Sequence, residues 1–293
     1  MASGEAEEQN EIAPQAYWAA RMYNPRATNY EDSWHPAFVY DFLDRLTPPL
    51  NPGDKVLDLA CGTGLVTFLA AARVGRHGAV HAVDISEGML SRAAARYEAG
   101  YYPHVRFYKH DIVHLESLAD VVKVKNEGGF DLITCASAFV LLDDPSTALR
   151  HWATFLKPGG RLVVDIPHPE NQIRGILAER VGNLLNAPVP YHRTWVRGSE
   201  SLEVVFDQAG LDTLSIDFVP QDGGQTRYLT PEDVGTSWKT VGPPLWKDEL
   251  AQKGLADKAS ELFVQEAAKI AVDGKIREID GVFVGIAKRA VPV

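Results

Sequence analysis

The stretch "VLDLACGTGLVT", Val56 to Thr67, carries Asp58 inside an apolar run that closes on Gly62 and Gly64. A strand that ends in Gly-x-Gly and opens a helix turns backbone N–H groups toward whatever lies above the sheet, which suits a nucleotide-like ligand. Further on, Asp84 ends "HAVD", where an ionised carboxylate can accept both hydroxyls of a ribose. Asp111 ends "KHD" in the same manner. Two ligand classes compete for the turn. The dinucleotide fingerprint asks for a third small residue where helix and strand pack closely, and Thr67 stands there instead. Asp84 serves either class.

These residues need elements that hold them in line. "KVLDLA", "AVHAVD", "VRFYKHD", "FDLITCA" and "GRLVVDIP" read as strands, and "LVTFLAAARV", "SEGMLSRAAARYEA", "HLESLADVVK" and "STALRHWATFLK" between them read as helices. Such alternation predicts a doubly wound α/β domain on a mostly parallel sheet. Ahead of it, "HPAFVYDFLDRL" has Phe38, Phe42 and Leu46 at helical spacing behind Pro36. After it come a helix in "SLEVVFDQAG", a strand in "DTLSIDFVP", a helical block from Pro231 to Ala271 and a last strand, "GVFVGIAKR". "NAPVPYHRTW" and "VPQDGGQTRYLTP" read as loops. The strand carboxyl ends are where a ligand would sit.

Taken in order, "VLDLACGTG", "VDISEGML", "HDI", "FDLITCASAF" and "LKPGGRLVV" resemble the motifs of class I S-adenosylmethionine-dependent methyltransferases, of the small-molecule type found in quinone and secondary-metabolite biosynthesis. The resemblance spans Lys55 to Ile166 and, more weakly, "FDQAGL" and the final strand. It implies a seven-stranded Rossmann-like sheet with an antiparallel last strand, and S-adenosylmethionine as cofactor. Gly62 and Gly64 would then approach the methionine part, and Asp58 its amino group, directly or through water. Asp84 would take the ribose and Asp111 the adenine amine, with Ile112 beside it and Ile85 and Met89 flanking the ring. In "RATNYEDSWH", Tyr30, Trp34 and His35 would roof the methionine end. Met89 reads equally as a packed helix face, and the aromatic group as a hydrophobic staple.

Methyl transfer from a sulfonium rests largely on positioning, so a base is optional. Many relatives carry Leu and His at the end of the fourth strand, where this chain has Phe139 and Val140 in "AFVLL". His168 in "DIPHPEN" and His192 in "VPYHRTW" are the candidate proton acceptors; His168 could as well be a turn residue. The segments 171–198 and 221–275 exceed a simple connection and predict a helical lid, with Trp238 and Trp246 set about Pro243 and Pro244 as aromatic walls for the acceptor. O-methylation ranks first. Cyclisation or rearrangement of a metabolite on the same fold is the alternative, followed by a non-catalytic binding module.

Composition narrows the partners. A formal net charge of −10 over 293 residues disfavours nucleic acid, and basic residues do not cluster along the chain, so the acceptor is expected to be an uncharged or weakly polar small molecule. No apolar run is long enough to span a bilayer, and the acidic start, "MASGEAEEQNEIAPQ", lacks the form of a signal peptide. A cytoplasmic protein with no membrane partner is expected. Cys61 and Cys135 have no metal-ligand spacing, and no metal is expected. Residues 1–15 read as a disordered tail and 16–293 as a single domain, with N-terminal helices over 16–48.

Overall fold

The apolar runs of the central region become parallel strands because helices cover both of their faces, leaving few exposed positions along them. We describe a computed structural model over residues 14–97, 102–189, 191–221, 223–240 and 244–291. Helices Pro14–Tyr23 (α1) and His35–Asp44 (α2) precede Lys55–Leu59 (β1), Leu65–Val74 (α3), Ala79–Asp84 (β2), Glu87–Arg96 (α4) and Val105–Lys109 (β3). Ala119–Asn126 (α5), Phe130–Cys135 (β4), Pro145–Ala153 (α6) and Leu156–Pro167 (β5) continue the alternation. Then follow Ile173–Leu184 (α7), Glu200–Gln208 (α8) and Leu211–Pro220 (β6). The chain ends through Thr226–Leu229 (β7), Pro231–Thr236 (α9), Pro244–Gln252 (α10), Ala256–Ile270 (α11), Ile276–Ile279 (β8) and Gly281–Arg289 (β9).

The seven-stranded sheet has the order β3-β2-β1-β4-β5-β9-β6, and β9 runs antiparallel to both of its neighbours. The order reverses between β1 and β4, so the crevice above the carboxyl ends of those two strands is the switch point where this architecture takes ligands. One face buries Phe38, Phe42, Val66 and Ala70 from α2 and α3. The other buries Trp152 from α6 and Phe206 from α8. α4 starts on Ser86, whose hydroxyl accepts the Met89 N–H at 3.2 Å, and α6 starts on Asp144 with Pro145 in its first turn.

The seven strands of the main sheet follow the sequence expectation, and three features of the chain depart from it. Helix α1 begins at Pro14, inside the stretch read as a tail, whose residues 1–13 lie outside the described residues. "TRYL", read as loop, is β7, paired antiparallel with β8 from far along the chain. Nothing local announces such a pairing, since no short turn joins the two strands. The block after Pro231 is three helices, which with α7 and β8 enclose a separate core of Leu177, Val234, Trp246 and Phe263. No helix among the described residues is long and apolar enough to cross a membrane.

Candidate active site

β1 delivers the chain into a turn in which Ala60, Gly62 and Gly64 all take positive φ, 53°, 56° and 84°. A Cβ on Gly62 would point into open space above the sheet, whereas one on Gly64 would meet the Phe68 ring at 2.8 Å. Gly62 is therefore the exposed rim of the turn and Gly64 its packed joint. Asp84, at the end of β2, fixes the rim. Its two oxygens accept the Gly62 N–H at 2.8 Å and the Ser86 N–H at 2.7 Å. Burial raises its pKa, while the backbone donors work against that rise.

A narrow cleft runs from this turn along the strand ends. Gly62, Asp84, Ile85, Met89, Asp111 and Ile112 line it on the sheet side, and Ala16, Ala19, Tyr23 and Tyr30 on the other. Six of the residues expected to hold the cofactor are thus brought together, and Tyr30 joins them. The cleft fits an adenosyl group by its chemistry. Asp111 Oδ1 accepts the Val113 N–H at 3.1 Å, while the buried Oδ2 has no partner among the described residues and suits an exocyclic amine. Asp84 keeps lone pairs for a ribose diol, and the Ile85 and Met89 side chains give the apolar flanks.

The outer wall comes from the N-terminal segment, anchored through Asn24. Its side-chain oxygen accepts the Gly88 N–H at 2.9 Å and the Ser86 hydroxyl at 2.8 Å. A side chain on Gly88 would strike the Asn24 carbonyl oxygen at 2.8 Å, so glycine there permits the contact. Tyr30, His35 and Trp34 stack in sequence, with centroids 4.3 and 4.0 Å apart. Burial, reinforced by the nearby Arg26 charge, brings His35 down to about 4, so it is neutral at physiological pH. Trp34 and His35 face a second, larger space rather than the cleft.

That larger cavity, of about 1020 Å³, adjoins the cleft, and both include Tyr23, Ser137 and Leu141 in their walls. Asp165, near the end of β5, stands at this junction. It is 4% exposed and accepts the Ser137 N–H at 2.6 Å. Burial pushes its carboxyl up to about 7, partly offset by that bond. Beyond it the wall is polar: Arg174, Arg193, Gln221, Arg227, Glu278 and Asp280 contribute, with Tyr191. Arg227 pairs with Glu278 at 3.0 Å and Asp280 at 2.8 Å.

Several expected residues stand elsewhere. Asp58 is 1% exposed and lines neither space; its oxygens accept the hydroxyls of Thr67 at 2.5 Å and Thr134 at 2.8 Å. His168 lines neither space; its ring packs against Phe218 and Phe283, which also touch each other, and Nδ1 accepts the Glu170 N–H at 3.1 Å. Burial lowers its pKa against the pull of Glu170. His192 turns to the surface and meets Asp143 at 2.9 Å. Trp246 is fully buried in the lid core with its indole N–H on the Ala187 carbonyl at 2.6 Å, and Trp238 packs on it at 5.8 Å. The expected aromatic walls are the lid's own interior. Five arginines that are scattered along the chain come together on the wall of the larger cavity, which their sequence positions do not announce. The signal for Asp165 was visible as a lone acid in the apolar strand "LVVDIP". For Arg193 it was one position away, because neighbours in extended chain point to opposite sides and His192 took the outer one. Among the described residues no cluster of three or more His, Cys, Asp or Glu is placed to hold a metal ion.

Comparison with known proteins agrees with this geometry. Residues 50–209 match the model of a family described as a methyltransferase domain. The chain is 35% identical over 133 residues to a demethylmenaquinone methyltransferase of Symbiobacterium thermophilum, covering 45% of this chain and 47% of that protein. It is 30% identical over 190 residues to a ubiquinone biosynthesis O-methyltransferase of Idiomarina loihiensis, covering 64% and 73%. The chain spans about half the length of several curated relatives that it matches. Among solved structures, the [4+2]-cyclase SpnF shares the fold at 17% identity with a TM-score of 0.56, covering 96% of this chain and 98% of that one. With more than half its length in the family match and the motif residues gathered at one cleft, this chain belongs to the class I S-adenosylmethionine-dependent methyltransferase family.

Proposed function

We propose that the protein transfers a methyl group from S-adenosylmethionine to an oxygen of a small organic acceptor seated in the larger cavity. The observation that carries this reading is the junction of the two spaces. Tyr23, Ser137 and Leu141 belong to both, and Asp165 borders the larger one at that point. When bound, the cofactor supplies an electrophilic methyl on a sulfonium. Gly62, Asp84 and Asp111 would hold it, and Tyr23 and Tyr30 would cover it from the N-terminal side. Asp165 then serves as the acceptor's proton acceptor, because burial places its titration near neutrality and leaves it a competent base at the operating pH. O-methylating relatives add weight to oxygen as the atom.

Incubation of the protein with methyl-labelled S-adenosylmethionine and an extract of its host, followed by identification of labelled products, tests the reading. Label on an ether or ester oxygen is expected. Turnover should rise with pH and level off above about 7, and Asp165→Asn should cost on the order of a hundredfold or more in turnover with little change in cofactor affinity. Tight calorimetric binding of the cofactor with no labelled product from any extract would replace methyl transfer by cyclisation or rearrangement. A flat pH profile would remove Asp165 from the proton path.

A further inference from the structure

Two residues on the wall of the larger cavity each carry a buried hydrogen-bond donor that has no acceptor among the described residues. Arg193 and Gln221 are each 8% exposed, and Arg193 Nε and Gln221 Nε2 have no partner. Asn171 holds both residues. Its backbone carbonyl accepts from the Arg193 guanidinium at 2.8 Å, and its side-chain nitrogen donates to the Gly281 carbonyl at 2.8 Å and to Gln221 Oε1 at 3.1 Å. A backbone carbonyl can only accept, so the Asn171 amide nitrogen must face Gly281 and Gln221 must present its oxygen to Asn171. The Gln221 nitrogen is thereby left over, and no exchange of amide orientation repairs it.

Arginines outnumber carboxylates on the wall around these donors. Five arginines and three carboxylates line the cavity, in a protein of net charge −10. Glu278 and Asp280 are taken by Arg227, and Arg174 stands 3.8 Å from Glu278. Glu179 spends its oxygens on the backbone N–H groups of Arg193 and Thr194. Among the described residues no carboxylate lies within ion-pair distance of the Arg193 guanidinium. Buried donors without acceptors are costly, and a guanidinium and an amide both tied to Asn171 offer N–H groups suited to the oxygens of one oxyanion.

We infer that Arg193, Gln221 and Asn171 form an oxyanion subsite, and that the methyl acceptor carries a carboxylate or phosphate group bound there. The inference rests on the reading of the larger cavity as the acceptor site. It replaces the uncharged acceptor that composition suggested with an anionic one. Asn171 is a positioning residue, and Arg193 and Gln221 make the contact.

Calorimetric titration of the full chain, saturated with S-adenosylhomocysteine, with benzoate, phenyl phosphate and neutral benzamide tests the subsite. At least one anion should bind about tenfold or more tightly than benzamide, and the better of the two identifies the oxyanion. Gln221→Glu keeps the oxygen that Asn171 needs and sets a second oxygen against the ligand, so it should weaken the anion by roughly tenfold to a hundredfold. Arg193→Lys, which retains charge and loses Nε, should weaken it by about tenfold, and both variants should keep wild-type affinity for S-adenosylhomocysteine. Benzamide binding as well as the anions, no anion bound at millimolar concentration, or Gln221→Glu without effect would overturn the subsite. Failure of the wild-type protein to bind S-adenosylhomocysteine would strike the methyl-transfer reading instead, and the anion titration repeated without it would still decide the subsite.

Discussion

The two halves of the site are built by different means. In the narrow cleft the contacts run from carboxylates to backbone N–H groups at strand ends: Asp84 ties Gly62 to Ser86, and Asp111 ties itself to Val113. In the larger cavity, side chains from α7, the loop after it, β7, β8 and the residue following β6 converge, and the contacts join polar and charged side chains. The first half sits on the sheet that carries the main cores, while the second sits under a lid with its own core around Trp246 and Phe263. A general ligand is held by geometry that the backbone supplies, and an individual one by side chains that can vary without disturbing the sheet.

If the lid core is separate, emptying it should spare the cofactor. Trp246→Ala removes a fully buried indole and its bond to Ala187, and should destabilise the lid by about 3–5 kcal/mol. Proteolytic cutting within 221–275 should accelerate while calorimetric affinity for S-adenosylhomocysteine stays within a few-fold. Parallel loss of cofactor affinity would mean that the two halves fold as one. The converse variant is Asp84→Ala, which deprives Gly62 and Ser86 of their acceptor along with the ribose. Cofactor affinity should fall roughly tenfold to several hundredfold, with anion binding under the lid retained. Near wild-type affinity would show that the β2 carboxylate does not hold the ribose.

The contrast explains what the sequence made legible. The seven strands, their direction and the cleft residues Gly62, Asp84, Ile85, Met89, Asp111 and Ile112 were readable because each lies at a strand end, within a few residues of the motif that identifies it. Gly62 and Asp84, joined by a hydrogen bond, illustrate this, since the strand pairing of β1 with β2 sets them side by side. The larger cavity had no such marker. Arg193, Gln221 and Glu278 meet only through the placement of α7, β6 and β8, and β8 pairs with a strand some fifty residues earlier. His168 and His192 were chosen by residue type, which says nothing of which side of a loop faces inward.

A smaller effect probes the seam between sheet and N-terminal cover. Gly88→Ala places a Cβ 2.8 Å from the Asn24 backbone oxygen, which cannot yield without moving the segment that carries Tyr23 and Tyr30. The alanine's better helix propensity, worth up to about 1 kcal/mol, offsets only part of that strain, so the thermal midpoint should stay level or fall slightly. Cofactor affinity should drop by roughly fivefold to tenfold as the cover shifts. The comparison that checks it is calorimetric affinity against thermal midpoint for the same variant; both rising together would show that the cover plays no part in holding the nucleoside.

The smallest expected effect concerns Asp58, which the family resemblance assigns to the cofactor and the structure puts beneath the turn. Burial raises its carboxyl to about 6, with the Thr67 and Thr134 hydroxyls opposing the rise. Its unfolded pKa is about 3.9, so between about pH 4 and pH 6 the folded chain holds this proton more firmly than the unfolded one. The contribution of Asp58 to stability therefore falls as pH rises through that window, and stays at its lower value above it. In Asp58→Asn the amide oxygen can accept one threonine hydroxyl and its N–H can meet the other, with no charge to bury. Relative to wild type, the variant should gain about 1 kcal/mol in stability between about pH 5 and pH 8, read from denaturant unfolding at the two values. A difference that does not change with pH would refute burial as the controlling cause. Cofactor affinity in the variant decides the remaining question: if it holds within a few-fold, Asp58 belongs to the scaffold that carries the turn, and a loss of tenfold or more would return it to the cofactor's amino group.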